Sequence, residues 1–209
     1  IAFKPDKKRA VILAFVLSLL AGIGAALLLE QLNNTIRNAA DVEERIALPL
    51  LGMVPLRSGK AREQATPALF DDTEKSFGEA IRTIRTGISL SSLDKPHNIV
   101  LVTSSIGAEG KSTVAMKLAL AFAQNERVLL LDADMRRPMV HRAKKIEQPR
   151  PGLAALMTGE ATFAEAHEET EDGLHVIPSG TVPANPLELL SSQKFKDLIT
   201  ELQETYDVI

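Results

Sequence analysis

The stretch SSIGAEGKST, residues 104–113, decides the fold class. It follows an apolar run at residues 99–102 and precedes a helical pattern at residues 113–124. A second apolar run, residues 128–131, ends in Asp132. Strand, loop, helix and strand in this order describe a βαβ unit. The sequence therefore predicts an α/β fold built around this loop.

The loop has the composition of a phosphate-binding loop. Glycines let backbone N–H groups converge on phosphate oxygens, and the N-terminus of the following helix adds a positive dipole. Lys111 is expected to reach the terminal phosphates, and Ser112 to bind Mg²⁺. Because Ser105 replaces the first glycine of GxxxxGK[ST], the loop is a variant of that pattern. The predicted ATP-binding residues are Gly107, Ala108, Glu109, Gly110, Lys111, Ser112 and Thr113.

Two carboxylates follow the second apolar run, in LLLDADMRRP at residues 129–138. At the carboxyl end of a parallel strand, Asp132 and Asp134 would share an edge of the sheet with the phosphate loop. A capping turn explains one carboxylate there but not both. Arg136 and Arg137 could steady phosphate charge or could be solvated loop residues. The predicted catalytic residues are Lys111, Asp132 and Asp134, and the predicted Mg²⁺ ligands are Ser112 and Asp132.

An uncharged apolar stretch, AVILAFVLSLLAGIGAALLL, covers residues 10–29. About 20 apolar residues in a helix span the hydrocarbon core of a bilayer, so we predict a transmembrane helix here. Residues 1–9 precede it, and residues 30–72 form a membrane-proximal segment and linker. The basic residues before the span would by themselves be expected in the cytoplasm. However, an ATP site after the span must lie in the cytoplasm, and one span cannot place both of its ends there. The ATP site decides our prediction, so residues 1–9 are expected on the periplasmic side.

Residues 73–209 are predicted to form the P-loop domain. An amphipathic helix begins near Thr73, further strands lie at residues 174–177 and 206–209, and residues 186–202 are mostly helical. Strands that alternate with helices predict a parallel sheet with flanking helices.

Composition excludes several functions. The chain has no cysteine, which rules out disulfides, thiolate catalysis and a cysteine-based zinc site. A formal net charge of -3 gives no sign of a nucleic-acid partner. The four histidines lie in different predicted elements without metal-ligand spacing, which argues against zinc.

The two motifs together resemble the bacterial tyrosine kinases of the polysaccharide co-polymerase family. LLLDADMRRP is similar to that family's Walker A′ motif, apolar residues followed by DxDxR. Residues 104–113 match its loop SSxPGEGKST in length, with Gly107 and Ala108 where Pro-Gly is commoner. LPLLGMVP (48–55), IPSG (177–180) and NPLELL (185–190) resemble further segments of the family. A partition-type ATPase would carry its signature lysine at position 106, which is isoleucine.

The resemblance implies an ATP- and Mg²⁺-dependent tyrosine autokinase that controls the assembly, chain length and export of a surface polysaccharide. It places the protein in the bacterial inner membrane, with the ATP-binding domain cytoplasmic. Its implied partners are further copies in a ring of kinase domains, the polysaccharide polymerisation and export machinery, and a tyrosine phosphatase. Glu79, Arg82 and Arg85 fit the family's ExxRxxR ring-assembly pattern, although a solvated helix face shows the same spacing.

Two alternatives stay open at this stage. One is a non-kinase co-polymerase in which nucleotide binding only drives assembly, and the other is a membrane-bound ATPase that transfers phosphate to water. Both chain ends are expected to be cut points, with the family's Walker B aspartate beyond Ile209. We therefore expect weak nucleotide binding by this chain alone. Its single tyrosine, Tyr206, is expected to be structural.

Overall fold

The structure of the chain is a computed structural model that describes residues 7–32, 41–42, 44, 47–55, 75–91, 99–146 and 150–209. The chain divides into two compact units, Ile1–Leu50 and Leu51–Ile209. Residues 56–74, which include the predicted domain boundary near residue 72, lie outside the described residues. The boundary therefore stays a prediction.

The first unit contains one long helix, α1 (Lys7–Leu32), which extends the predicted span at both ends. Its 26 residues rise about 39 Å at 1.5 Å per residue, more than the hydrocarbon thickness of a bilayer. None of its residues is buried, so leucines and other large apolar side chains are exposed all around the helix. Among the described residues, α1 is the one helix long and apolar enough to cross a membrane.

The second unit is built on a small mixed sheet of β1 (Leu129–Leu131), β2 (Glu168–Glu169) and β3 (His175–Ile177), in the order β1-β3-β2. β1 and β3 are parallel, with Leu129 opposite His175, as the sequence predicted. β2 was not predicted and runs antiparallel to β3. Because only a short turn joins β2 to β3, the chain cannot cross over, and the two strands form a hairpin.

The two predicted strands at 206–209 and 99–102 continue the sheet beyond β1, in that order, but form no regular ladder. Val208 makes a single parallel bridge with Val128, and the Leu129 N–H donates to the Val208 carbonyl at 2.9 Å. The Val100 N–H donates to the Ile209 carbonyl at 2.8 Å. The segments at 99–102 and 206–209 thus lie where strands were predicted, but each makes too few backbone bonds to count as a strand. That part of the prediction is wrong in detail.

Helices cover both faces of the sheet. The long amphipathic helix near residue 73 is confirmed as α2 (Lys75–Ser91), and the helix after the loop is α3. The predicted helix at 186–202 is two helices, because Ser192 ends the first and its hydroxyl caps the second by accepting from the Phe195 N–H at 3.2 Å. The helices that follow α2 are α3 (Lys111–Phe122), α4 (Val140–Ala143), α5 (Leu153–Thr158), α6 (Phe163–Ala166), α7 (Pro186–Ser191) and α8 (Gln193–Thr205).

Alternation along the strands divides the core into two clusters. Val128 and Val176 face a cluster with side chains of α2 and α3, whereas Leu129 and Ile177 face a cluster with α5 and α8. Each such side chain stabilises the fold by roughly 1.5–3 kcal/mol when fully buried. Helices on both faces of a sheet are the α/β architecture that the sequence predicted.

Residues 51–55, the part of the LPLLGMVP segment that lies in the second unit, form no strand. A Cβ atom built on Gly52 would lie 2.9 Å from Cγ1 of Ile84, and one built on Gly87 would lie 3.1 Å from Cδ2 of Leu51. This close approach shows that the segment packs directly on α2. It is a docking segment of the second unit.

Candidate functional site

The predicted phosphate loop closes tightly at the start of α3. Gly110 precedes the helix with φ 93°, and the Ser104 hydroxyl donates to the Ile106 carbonyl at 2.9 Å. No side chain caps the N-terminus of α3. The first N–H groups of this helix therefore remain available to an anion, and the helix dipole favours negative charge there. Ser112 and Thr113 lie half-buried in the first turn.

Ala108 stands in the middle of the loop with φ 66°, in the left-handed region. A side chain there costs roughly 1–2 kcal/mol, because Cβ approaches the following carbonyl oxygen. Glycine would take this conformation without that cost. The position at which the family commonly has glycine is thus one where the backbone conformation favours glycine.

Glu109 turns its carboxylate onto the loop itself. Its Oε2 atom accepts from the Ile106 N–H at 3.3 Å and from the Ser105 hydroxyl at 3.3 Å. A carboxylate repels phosphate, so this side chain braces the loop rather than binding the ligand. Only its backbone can take part in the phosphate cradle.

Lys111 and Asp134 meet at the loop. The Lys111 ammonium donates to Oδ2 of Asp134, and both side chains are about one-third or less exposed. Oδ1 of Asp134 accepts from the Arg137 N–H at 3.1 Å. Burial alone would raise the pKa of the Asp134 carboxyl, but the bond from Lys111 and the backbone N–H group hold that pKa below its usual value. Asp134 is therefore ionised at neutral pH.

Asp132 has a different environment, although it is only two residues away. It directly follows β1 and is 5% exposed. Its oxygens accept from the Asp134 N–H at 3.1 Å and from the Val140 N–H at 3.2 Å. Burial raises the pKa of the Asp132 carboxyl, and these N–H bonds oppose the rise. Asp132 thus fixes the turn after β1 and the start of α4, which is the capping role that the sequence left open for one carboxylate.

A cavity of about 890 Å³ opens beside these residues. Lys111, Ser112, Asp132 and Asp134 line its polar end, and apolar side chains of residues 99–102 and of α8 line the rest. Concave sites of this size with a few convergent polar groups are typical of small-molecule binding. The cavity therefore joins the predicted catalytic residues in one place.

The three residues predicted for assembly lie on α2, away from this cavity. The Arg82 guanidinium pairs with the Glu79 carboxylate one turn earlier at 2.5 Å, and both side chains are largely exposed. The Arg85 guanidinium lies over the Phe122 ring, 5.6 Å from its centroid. Arg85 thus has a partner within its own chain, and Glu79 and Arg82 pair with each other at the surface.

Sequence reasoning missed a histidine pair in the β2–β3 hairpin. Nε2 of His167 lies 2.7 Å from Nδ1 of His175, and the two rings stack with centroids 4.9 Å apart. The Tyr206 ring meets His175 edge-on, with centroids 5.4 Å apart. Tyr206 is 5% exposed, which agrees with its predicted structural role. The turn residues between the two histidines, including Asp172-Gly173, were the signal for this hairpin.

Comparison with known proteins gives the class first. Residues 100–209 match the family described as CbiA: CobQ/CobB/MinD/ParA nucleotide binding domain. Together with the phosphate loop, the lysine and the carboxylates at the strand end, this match makes the second unit a P-loop nucleotide-binding domain.

More specific relatives are tyrosine kinases. The chain is 42% identical over 151 residues to the tyrosine-protein kinase YwqD of Bacillus subtilis, covering 71% of this chain and 63% of the relative. It is 30% identical over 213 residues to the tyrosine-protein kinase ptk of Acinetobacter johnsonii, covering 97% of this chain and 29% of the relative. The solved BceF tyrosine kinase domain superposes with a TM-score of 0.71 at 31% identity, covering 83% of this chain and 74% of that domain. The chain therefore belongs to the bacterial tyrosine kinase family.

The chain spans 29% of the length of the Acinetobacter relative. Because this match covers 97% of the chain, it includes the apolar helix as well as the nucleotide-binding domain.

Proposed function

We propose that this chain contains the ATP site of a protein-tyrosine autokinase that regulates the assembly, chain length and export of a surface polysaccharide. The observation that carries the proposal is the contact between the Lys111 ammonium and the Asp134 carboxylate at the phosphate loop. It brings a phosphate-binding cation and a proton acceptor to one point. These are the two groups that phosphoryl transfer to a hydroxyl needs most.

The proposed reaction uses the two groups in turn. Lys111 leaves Asp134 for the terminal phosphates of ATP and neutralises their charge. Asp134, ionised at neutral pH, then faces the tyrosine hydroxyl and accepts its proton. The tyrosine oxygen forms a bond to the terminal phosphorus, the bond from that phosphorus to the bridging oxygen breaks, and ADP leaves.

The residues at the site fit a magnesium ion. Ser112 and Asp132 offer only oxygen atoms, which this cation prefers. Each oxygen of Asp132 accepts one backbone N–H bond, which leaves lone pairs for a magnesium-bound water. Magnesium bound there would neutralise part of the negative charge of the phosphates. In our proposal Asp132 would help to hold the magnesium ion and would also fix the turn after β1.

The proposed setting is the bacterial inner membrane, with α1 as a span and the second unit in the cytoplasm. Glu79 and Arg82 are exposed and can pair with neighbouring copies in a ring of kinase domains, whereas Arg85 also packs on its own Phe122. The family resemblance supports this assembly and the proposed partners, the polysaccharide polymerisation and export machinery and a tyrosine phosphatase.

The test is phosphotyrosine formation with ATP and Mg²⁺ in detergent, using the full-length protein that contains this chain. We expect Lys111→Met to lower it by at least about 100-fold, because a preorganised charge at the transition state is lost. Lys194→Met, which removes an exposed lysine of α8, is the matched control and should keep wild-type activity. Nucleotide binding without phosphotyrosine would favour the non-kinase co-polymerase, and no nucleotide binding would exclude both functions.

A further inference from the structure

Two adjacent arginines, Arg136 and Arg137, follow the carboxylates, and their side chains take different positions relative to the phosphate loop. A Cβ atom built on Gly107 would lie 4.0 Å from Nη1 of Arg137, so this guanidinium lies beside the middle of the phosphate loop. The side chain of Arg136 is exposed as well, but none of its atoms lies within 4 Å of a Cβ atom built on Gly107 or Gly110. The DxDxR pattern of the sequence includes Arg136, yet the structure places Arg137 at the site.

Arg137 is held there by its backbone while its charge stays available. Its N–H donates to Oδ1 of Asp134 at 3.1 Å, which fixes the start of the side chain next to the Lys111–Asp134 pair. Within the described part of the chain, no carboxylate pairs with its guanidinium. The side chain is exposed, so it can turn toward a ligand without disturbing the core. An anion in the loop would therefore meet a cation that has no competing acidic partner.

We propose that Arg137 binds the terminal phosphate of ATP and so makes the site prefer the triphosphate to the diphosphate. Lys111 reaches the terminal phosphates in loops of this type. Asp134 contacts the Lys111 ammonium with one oxygen and the Arg137 N–H with the other, so Lys111 and Arg137 meet at the same carboxylate beside the loop. A guanidinium also matches two phosphate oxygens at once, which favours a terminal group. This inference rests on the proposed nucleotide site.

The test measures the dissociation constants of fluorescent ATP and ADP analogues for the full-length protein in detergent. We expect Arg137→Ala to weaken ATP binding by about tenfold or more, since charge-assisted bonds to phosphate have that strength. ADP binding should change by less than about threefold, so the preference for ATP falls. Arg137→Lys should restore part of the ATP affinity, because it returns the charge without the planar fork.

Arg136→Ala is the matched control, and we expect both of its dissociation constants to stay within about twofold of wild type. Equal effects of the two alanine variants would overturn the inference, and so would equal losses for ATP and ADP in Arg137→Ala. In either case the nucleotide site proposed above would stand, because wild-type binding is measured in the same experiment. If wild type bound neither nucleotide, the proposed function would fail and this inference with it.

Discussion

Asp132 and Asp134 carry the same functional group but occupy different electrostatic environments. Asp132 is buried at the end of β1 and accepts from two backbone N–H groups. Asp134 is less buried and binds the Lys111 ammonium. Burial raises the pKa of Asp132, and Lys111 helps to hold the pKa of Asp134 down. In the proposed reaction the two carboxylates therefore have different roles, since Asp132 shapes the turn and would hold magnesium, whereas Asp134 would accept the proton.

Ala108 gives a prediction at the scale of one residue. Because its φ of 66° is strained for any residue with a Cβ atom, Ala108→Gly should raise the free energy of unfolding by about 1 kcal/mol. Urea denaturation of the second unit, followed by circular dichroism, measures this change. Nucleotide affinity should rise as well, since less strain opposes the loop shape.

Lys145 is the control for that prediction, because it also has a positive φ, 55°, but lies outside the phosphate loop. Lys145→Gly should stabilise the fold to a similar degree without changing nucleotide affinity. A loss of stability in Ala108→Gly would show that the alanine methyl group contributes more by contact than it costs in backbone strain.

At the scale of elements, the IPSG segment holds α5 against the carboxyl end of the sheet. The Leu153 N–H donates to the Pro178 carbonyl at 2.7 Å, and the Ala154 N–H donates to the Ser179 carbonyl at 3.1 Å. These bonds satisfy the first N–H groups of α5, which have no side-chain cap. The family segment at 177–180 is thus explained by packing next to the site.

Gly152 allows this contact because the two backbones nearly touch. A Cβ atom there would lie 2.3 Å from the Pro178 carbonyl oxygen and 2.4 Å from the Gly180 nitrogen. Backbone atoms cannot move aside as a flexible side chain can, so Gly152→Ala should lower the free energy of unfolding by at least about 2–3 kcal/mol. Chemical denaturation checks the value.

Gly173→Ala separates this steric effect from backbone strain. Gly173 has φ 73°, but a Cβ atom there would meet nothing within 4 Å. We expect it to cost only about 1 kcal/mol. Equal costs for the two variants would contradict the steric account of Gly152.

The β2–β3 hairpin should make stability depend on pH through His167. Burial lowers the pKa of the His167 imidazole, neighbouring His175 lowers it further, and Glu169 opposes them. As pH falls, the unfolded chain therefore takes up this proton before the folded chain does. The contribution to stability is complete above the ordinary pKa of about 6.5 and is lost as pH falls through the lower folded pKa.

Melting temperatures at pH 7.5 and 5.5 test this sign. Wild type should lose more between the two values than His167→Gln, which has no titrating imidazole at that position. Asp134 and Asp172 have lowered pKa values, so their contributions are lost at more acidic pH. His141→Gln, in α4 outside the hairpin, should follow wild type. A wild-type profile in His167→Gln would exclude the histidine pair as the source of the effect.

At the scale of the whole molecule, the chain joins an apolar helix to a compact α/β unit. α1 exposes apolar side chains around its whole circumference, and water would solvate such a surface poorly. A bilayer is the environment that fits its length and composition. The second unit has its own core in two clusters.

The sequence by itself determined the α/β class, the phosphate loop and the apolar helix, and it predicted the site residues. These features depend on local patterns, because periodicity, glycine placement and charge are written along neighbouring positions. The same reasoning located the parallel pair β1 and β3 but predicted too much strand at 99–102 and 206–209. Strand assignment depends on how many bonds a distant partner supplies, which periodicity does not show.

Only the tertiary structure decided which residues meet. Lys111 and Asp134 are 23 positions apart, Gly152 touches Gly180, and His167 contacts His175 through a hairpin turn. Adjacent residues also differ, since Arg137 lies near a Cβ atom built on Gly107 and Arg136 does not. Such contacts depend on the angles of turns and on the packing of both sheet faces, where a shift of one ångström separates a bond from a void. Local sequence does not contain that information, because the partner groups come from other parts of the chain.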